Sequence, residues 1–458
     1  MGTQRLDNHL KQIVLNLKYE HEEGRLSAIQ LLSSIIQKLP LLVLEKHSQL
    51  FFLPSVLQLA NDDSKKCTEF VAGAISLLLT RLSTDTSQSF FNYVSRWSQS
   101  SGDDGQSMRQ AAAQLYGIFV ESRPDIIKRG NTAADMITNI SNVLQEYIPF
   151  SGNEGWELLY YNILCIEKLN KDFQSMILAH DDIGASLIKL MAYPHPWVMQ
   201  VSLRIINSHT GDIDPKNFIK QRIDSYLLKN EGCLYEIARN LCRQLDVEDV
   251  HFVEALSALT IKTIVWLFQV MNHHPNLFYS INRGLERDES NEESKNPCRW
   301  MMSRLSNIAK PKHGAKRRES IFKCYAALCT SCKPIQLTPY LRLMITSLDR
   351  AIREETNNLK SDERQSTHPS IAFPKDILNL LEDVCGTEDF IKAYTEVTKK
   401  VHKMKDQRKQ DIAAEAVYDP ASAAKRKIKK QLHEKERKKR RVNEMKLLRG
   451  VSRKNMYS

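Results

Sequence analysis

From about residue 6 to residue 350 the apolar residues recur at intervals of three and four, the spacing that lines one face of an α-helix. Leu26, Ile29, Leu32, Ile35, Ile36 and Leu39 make one such stripe, and Pro40 closes it. Leu50, Leu53, Leu57 and Leu59 mark the next. Further stripes pair Trp156–Leu169 with Phe173–Met191, Asp249–Leu259 with Thr260–Met271, and Trp300–Ile308 with Arg318–Cys329. No run alternates apolar and polar residues between turn signals, so no strand is predicted.

Three stretches resemble one another. Asn61-Asp62-Asp63-Ser64 leads into Cys67–Ile75, Asp103-Asp104-Gly105 into Met108–Leu115, and Tyr193-Pro194-His195-Pro196 into Trp197–Ile205. Each is a turn rich in Asp or Pro that opens a helix with small residues at its centre. Cys67 and Met108 are 41 residues apart, and Val198 lies 90 further on, close to two more such steps. A helical-pair repeat of about 40–47 residues belongs to the HEAT and armadillo class. The pattern therefore predicts an all-α, HEAT/armadillo-like α-solenoid over 1–356 rather than a non-repetitive bundle. Its length fits: a chain of 458 residues exceeds the ~250–300 at which a single core stops growing, whereas a repeat array has no single core to outgrow.

Two polar segments interrupt the pattern, the acidic Glu286–Asn296 and Asn357–Ser370 around Asp362-Glu363-Arg364. The second predicts a linker over 357–374. A helical extension over 375–418 follows. There Thr387 caps a helix whose apolar residues Phe390, Tyr394, Val397, Val401 and Met404 step by four and three. That is a narrow a/d seam, suited to one groove of a partner and too slim for a core. Asp419-Pro420 breaks the helix, and a basic arm fills 419–458.

Charge sharpens this division. The net charge is +11, but Lys399–Ser458 holds 21 Lys and Arg against 7 Asp and Glu, or +14, which leaves −3 for the rest. Two clusters dominate: Lys425, Arg426, Lys427, Lys429 and Lys430, then Arg437, Lys438, Lys439, Arg440 and Arg441. A polycation of this kind binds phosphate backbones and releases counterions; with no aromatic between the clusters it reads little sequence. The same clusters also suit a nuclear-import address.

Candidate chemistry is sparse. Nine scattered cysteines, an odd number in a large chain, predict a reducing compartment and no disulfide framework. Cys329-Thr330-Ser331-Cys332 lacks the second pair that zinc needs and the βαβ setting of a redox motif. There is no Gly-rich phosphate loop, HExxH or GxSxG. Asp7, His9 and Lys11 interrupt any signal-peptide core, and Glu254 and Lys262 mark the most apolar window as a buried helix. The expectation is a non-enzyme with no cofactor, no metal, no small-molecule substrate and no membrane.

Over Lys18–Ala60, with Glu20-His21-Glu22-Glu23-Gly24-Arg25, Lys38-Leu39-Pro40 and Phe52-Leu53-Pro54, the chain resembles the C-terminal region of the small-subunit processome component 20 homologs. The likeness continues through Tyr193–Val198 and Phe373-Pro374-Lys375 to Leu448-Arg449-Gly450. It implies a HEAT-repeat scaffold in the nucleus and nucleolus, acting in small-subunit rRNA processing. It implies as partners pre-ribosomal RNA, the U3 small nucleolar ribonucleoprotein and other assembly factors, and it carries no catalytic residues. Members of the family are several times longer, so the stripe Leu6, Leu10, Ile13, Val14 and Leu17 is expected to face a neighbour outside this chain. The competing expectation is a protein-binding adaptor of the transport-receptor or phosphatase-regulator type, whose tail serves only as a nuclear localisation signal.

Overall fold

A computed structural model describes residues 2–101, 105–148, 155–178, 180–246, 250–278, 296–310, 315–358 and 369–454. Eighteen helices of ten or more residues follow one another among them: α1 (Gly2–Leu15), α2 (Glu22–Lys38), α3 (Ser48–Asn61), α4 (Lys65–Arg81), α5 (Thr84–Ser98), α6 (Gly105–Ser122), α7 (Thr132–Tyr147), α8 (Trp156–Asp172), α9 (Asp181–Leu190), α10 (Pro196–Gly211), α11 (Cys233–Gln244), α12 (Val250–His273), α13 (Pro297–Ile308), α14 (Ala315–Ser331), α15 (Leu341–Asn358), α16 (Pro369–Cys385), α17 (Thr387–Tyr418) and α18 (Pro420–Lys454). No strand occurs among the described residues.

The packing has a simple rule. Each even-numbered helix from α2 to α14 lies against the next even-numbered one. The odd-numbered helices form a second row, in which α7 packs on α9, α9 on α11, α11 on α13, α13 on α15 and α15 on α17. Earlier in that row the Phe52 ring of α3 stacks on Phe90 of α5 at 4.2 Å, and Asn139 of α7 donates to Ser98 Oγ of α5 at 3.3 Å. Two rows of helices whose main contacts run between near neighbours in the chain define an α-solenoid. One apolar core runs through it from Leu10 to Val397. Ala111, Ala112 and Ala113 in α6 are all buried, so small side chains stand where α6 is flanked by α4 and α8.

Helix ends leave carbonyls without intrahelical partners, and here the next repeat supplies donors. Arg81 at the end of α4 donates to Ile36 O and, at 3.0 Å, to Leu39 O, at the end of α2. Arg123, just past α6, donates to Leu79 O at 3.1 Å and Leu82 O at 3.0 Å, at the end of α4. Further along, Gln244 Nε2 donates to Met191 O at 2.9 Å and Trp266 Nε1 to Ile213 O at 2.9 Å.

Several sequence expectations change. The residues expected to pair as Asp249–Leu259 and Thr260–Met271 form the single helix α12, because no Gly or Pro interrupts Val250–His273; Asp249 lies outside the described residues. In α3, Leu59 is buried as expected, but Leu53 and Leu57 are exposed and Phe51, Phe52 and Val56 are buried instead. The large rings fix the register there, and Leu53 and Leu57 fall on the opposite face. The α1 stripe does not wait for an outside neighbour: Leu10, Val14 and Leu17 are buried, and α1 packs on α2 and α3. The linker expected over 357–374 is helical at both described ends. Residues 359–368 lie outside the described set, while α16 begins at Pro369 and carries Pro374 within it. Burial of Ile371, and of Ile377 and Leu381 in the common core, outweighs the one backbone hydrogen bond that Pro374 forgoes. The acidic loop Glu286–Asn296 lies outside the described residues except for Asn296, which caps α13 by accepting from Arg299 N at 3.1 Å.

One buried group ties stability to pH. His209 in α10 is 8% exposed, its Nε2 has no hydrogen-bond partner among the described residues, and its ring meets Tyr226 edge-on at 4.8 Å. Burial pushes its pKa down to about 4, against a smaller opposing pull from Asp212. The folded state therefore keeps His209 neutral at pH values where the unfolded chain is protonated. Stability is full above the unfolded value near 6.5 and falls as pH drops from there towards 4. At pH 5 the expected loss is about 2 kcal/mol. Urea melts at pH 7 and pH 5 should show it, and His209→Phe should flatten that dependence.

Candidate nucleic-acid interface

The site begins where the array ends. Gly386 takes φ +89° between α16 and α17, a left-handed corner that suits glycine. Glu388 and Asp389 in the first turn of α17 favour its helix dipole. The seam then divides. Val397 is 2% exposed, and Phe390 and Val401 are half-buried against the array's core, so α17 closes the odd row beside α15. Tyr394 stacks on Phe390 at 5.9 Å with one side open, and Met404 is 64% exposed. The seam expected to await a partner is thus largely taken by the chain's own array, because four helical turns of α17 reach back over α15 and α16.

Past Val401 the character of α17 changes. Residues 402–418 are exposed except for half-buried Glu415, and Val417 and Tyr418 are among the most exposed apolar side chains of the molecule. Asp419 is extended at φ −141°, ψ 77°, and breaks the helix. Its carboxylate accepts from Ser422 N at 3.0 Å and so caps α18, and the hydrogen bonds from Ser422 hold that carboxyl below the usual carboxylate range. Pro420 occupies the first helical position, where its missing N–H costs nothing.

The arm α18 spans 35 residues, about 50 Å. All its described side chains are exposed, including Ile428, Leu432 and Val442. Lys425, Arg426, Lys427, Lys429, Lys430, Lys438 and Lys439 face solvent around the whole helix. Arg426 forms an ion pair with Glu415 of α17. The side chains of Arg437, Arg440 and Arg441 lie outside the described residues, although the helix backbone runs through them. A helix whose described side chains are positive on every side and buried on none repels itself in water. Phosphates relieve that repulsion without requiring any particular base.

Elsewhere the chemistry is that of a packed core. Cys329 and Cys332 are buried, and burial pushes their thiols up to about 12 and about 11, so neither supplies a thiolate at neutral pH. Among the described residues no group of three or more His, Cys, Asp or Glu is placed to hold a metal ion, and no helix is long and apolar enough to cross a membrane.

Sequence patterns do not single out one feature, a groove of about 630 Å³ across the even row, lined by the end of α3 and the turn at Asp62 and Asp63, the first turns of α4 and α10, the middle of α6 and much of α8. Its walls carry Trp156, Tyr160, Tyr161 and Trp197. The one signal available was the Tyr193-Pro194-His195-Pro196-Trp197 turn, legible only as a repeat boundary.

Comparison with known proteins supplies the remaining finding. The family model described as small subunit processome component 20 homolog, C-terminal, matches residues 108–444. U3 small nucleolar RNA-associated protein 20 of Saccharomyces cerevisiae is 24% identical over 458 residues, covering 96% of this chain and 17% of the yeast protein. Its namesake in Schizosaccharomyces pombe is 23% identical over 443 residues, covering 93% of this chain and 16% of that protein. The chain thus spans about a sixth of the length of these curated relatives. Among solved structures it is similar to Kap121p bound to Pho4p (TM-score 0.38, 13% identity, 90% of this chain and 40% of that one). It is also similar to yeast importin-beta, Kap95p (TM-score 0.27, 11% identity, 90% and 55%).

Proposed function

The chain belongs to the small-subunit processome component 20 homologs, and from that premise we propose that it is a structural scaffold of the small-subunit processome in the nucleolus. In this reading α18 gathers pre-ribosomal RNA through its phosphates, and the two-row array holds assembly factors. The relatives are named for association with U3 small nucleolar RNA, so the U3 particle is the neighbour expected to share that RNA. No catalytic step is assigned: the chain's role is to position RNA and protein relative to one another.

The observation that carries the reading is the arm. It is a 35-residue helix with every described side chain exposed, set on an array whose own charge is close to neutral. A nuclear-import signal needs only one short cluster, whereas two clusters along a continuous helix give a phosphate-binding rod. Ultraviolet crosslinking of the chain to RNA in cells tests this. Crosslinked peptides should fall within residues 419–454 and the attached reads within precursor rRNA. Crosslinks confined to the array, or reads without precursor sequence, would overturn the proposal.

A further inference from the structure

The groove across the even row owes nothing to the arm. Trp197 is 49% exposed at its rim and meets Trp156 edge-to-face at 5.3 Å. One face of Trp156 is already covered by His195, stacked at 3.8 Å; Trp197 also meets His195 at 5.9 Å and Tyr160 at 5.8 Å, and its exposed half, with the half-buried Tyr160 and Tyr161, is the ring surface left open.

The charges around these rings are unequal. Lys168 donates to Glu121 at 2.8 Å and to Gly117 O at 3.3 Å, which uses its charge within the wall. Lys65 lies 3.7 Å from Glu69 and offsets it. Arg25 holds both Asp62 at 2.9 Å and Asp63 at 2.8 Å, one cation against two carboxylates, and Asp63 is 91% exposed. Glu157, next to Trp156 in the groove, forms no ion pair among the described residues. The balance is negative, and exposed rings add the negative faces of their π-systems. Nucleic-acid phosphates would meet these carboxylates and be repelled. A guanidinium matches both features, since it stacks flat on an indole and pairs with a carboxylate at its edge.

We propose that this groove docks an extended, arginine-bearing segment of a partner protein, with one guanidinium lying on the open face of Trp197 and paired with Glu157. The site recognises cations, while the arm recognises anions. One molecule thereby holds RNA at one end and a basic protein segment along its wall. The proposal stands independently of the arm's role in RNA binding.

The test uses the full chain and a fluorescein-labelled twelve-residue peptide of alternating Arg and Ser, with a Gln-Ser peptide of equal length as control. Fluorescence anisotropy at physiological salt reads the affinity. The array's charge of −3 and its acidic segment Glu286–Asn296 draw any cationic peptide weakly, so the effect of the two groove variants, and not binding alone, reports the local site. The Arg-Ser peptide should bind and the Gln-Ser peptide should not. Trp197→Ala and the near-isosteric Glu157→Gln should each weaken the Arg-Ser peptide about tenfold and leave affinity for oligouridine unchanged. Trp197 is half exposed and Glu157→Gln preserves shape, and unchanged melting temperatures will show that both variants are folded. The idea fails if the Arg-Ser peptide does not bind, if both variants bind it like the parent chain, or if oligouridine affinity drops instead.

Discussion

Truncating the chain after Tyr418 is expected to abolish the salt-sensitive part of its RNA affinity. If α18 engages six phosphates of a single strand, the log–log slope of affinity against salt is about −4, so the intact chain should weaken roughly 300-fold between 50 and 200 mM salt. The truncated chain should show a slope near zero and bind oligouridine at least a hundredfold more weakly at 50 mM. The array carries almost no net charge, so it offers little to replace what is lost. Its fold should be untouched, because every described side chain beyond Tyr418 is exposed and the apolar core ends at Val397. Filter binding across a salt series measures the first effect and thermal melting the second. A truncated chain with the parent slope and affinity would mean that the array, and not the arm, holds RNA.

The second large effect concerns Arg123→Ala. Arg123 is 7% exposed, and beyond its bonds to Leu79 O and Leu82 O it donates to Ser87 Oγ at 2.6 Å, to Thr84 Oγ1 at 3.1 Å and to Asp125 at 2.8 Å. One guanidinium thus satisfies the end of α4 and the start of α5 together. Removing it leaves Leu82 O without its side-chain donor and Leu79 O with only the long 3.4 Å bond from Ser87 Oγ, and a buried group left unsatisfied costs about 1–3 kcal/mol. Water entering the vacated space recovers part of this, so the net loss should be roughly 3–4 kcal/mol. Arg123→Lys keeps a charge but not the fork of five donors, and should recover less than half of the loss. Because repeats are stabilised by their neighbours, unfolding should concentrate between α4 and α6. Hydrogen exchange of the amides of Leu79–Ser87 should accelerate first. Exchange that rises evenly along the array would contradict a local role.

Much of this architecture was legible because it rests on local rules. The stripe Leu26, Ile29, Leu32 and Ile36 predicts α2 and its buried face, and the step from Cys67 to Met108 anticipates the stacking of α4 on α6. The arm was readable for the same reason: its charge is a property of composition, and Asp419-Pro420 is a local break. What was hidden depends on tertiary placement. Arg123 is one arginine among many until the ends of α4 and α6 are brought together. The groove's aromatics come from two helices some forty residues apart in sequence, and only stacking of α8 on α10 joins them. The seam misled in the opposite direction. Its spacing describes a helix that seeks a neighbour, and the neighbour turned out to be α15 of the same chain.

The way α17 is shared between array and arm fixes a distance. Its first half is clamped by Val397 to the wall, and its second half projects as a cantilever of about 25 Å from Val401 to the break at Asp419. The root of the cationic rod is thereby offset from the scaffold by a clearance wide enough for two helices side by side. Lengthening or shortening this spacer by whole turns would reset that offset while preserving both ends, which makes residues 402–418 a ruler between the strand that is held and the surface that holds it.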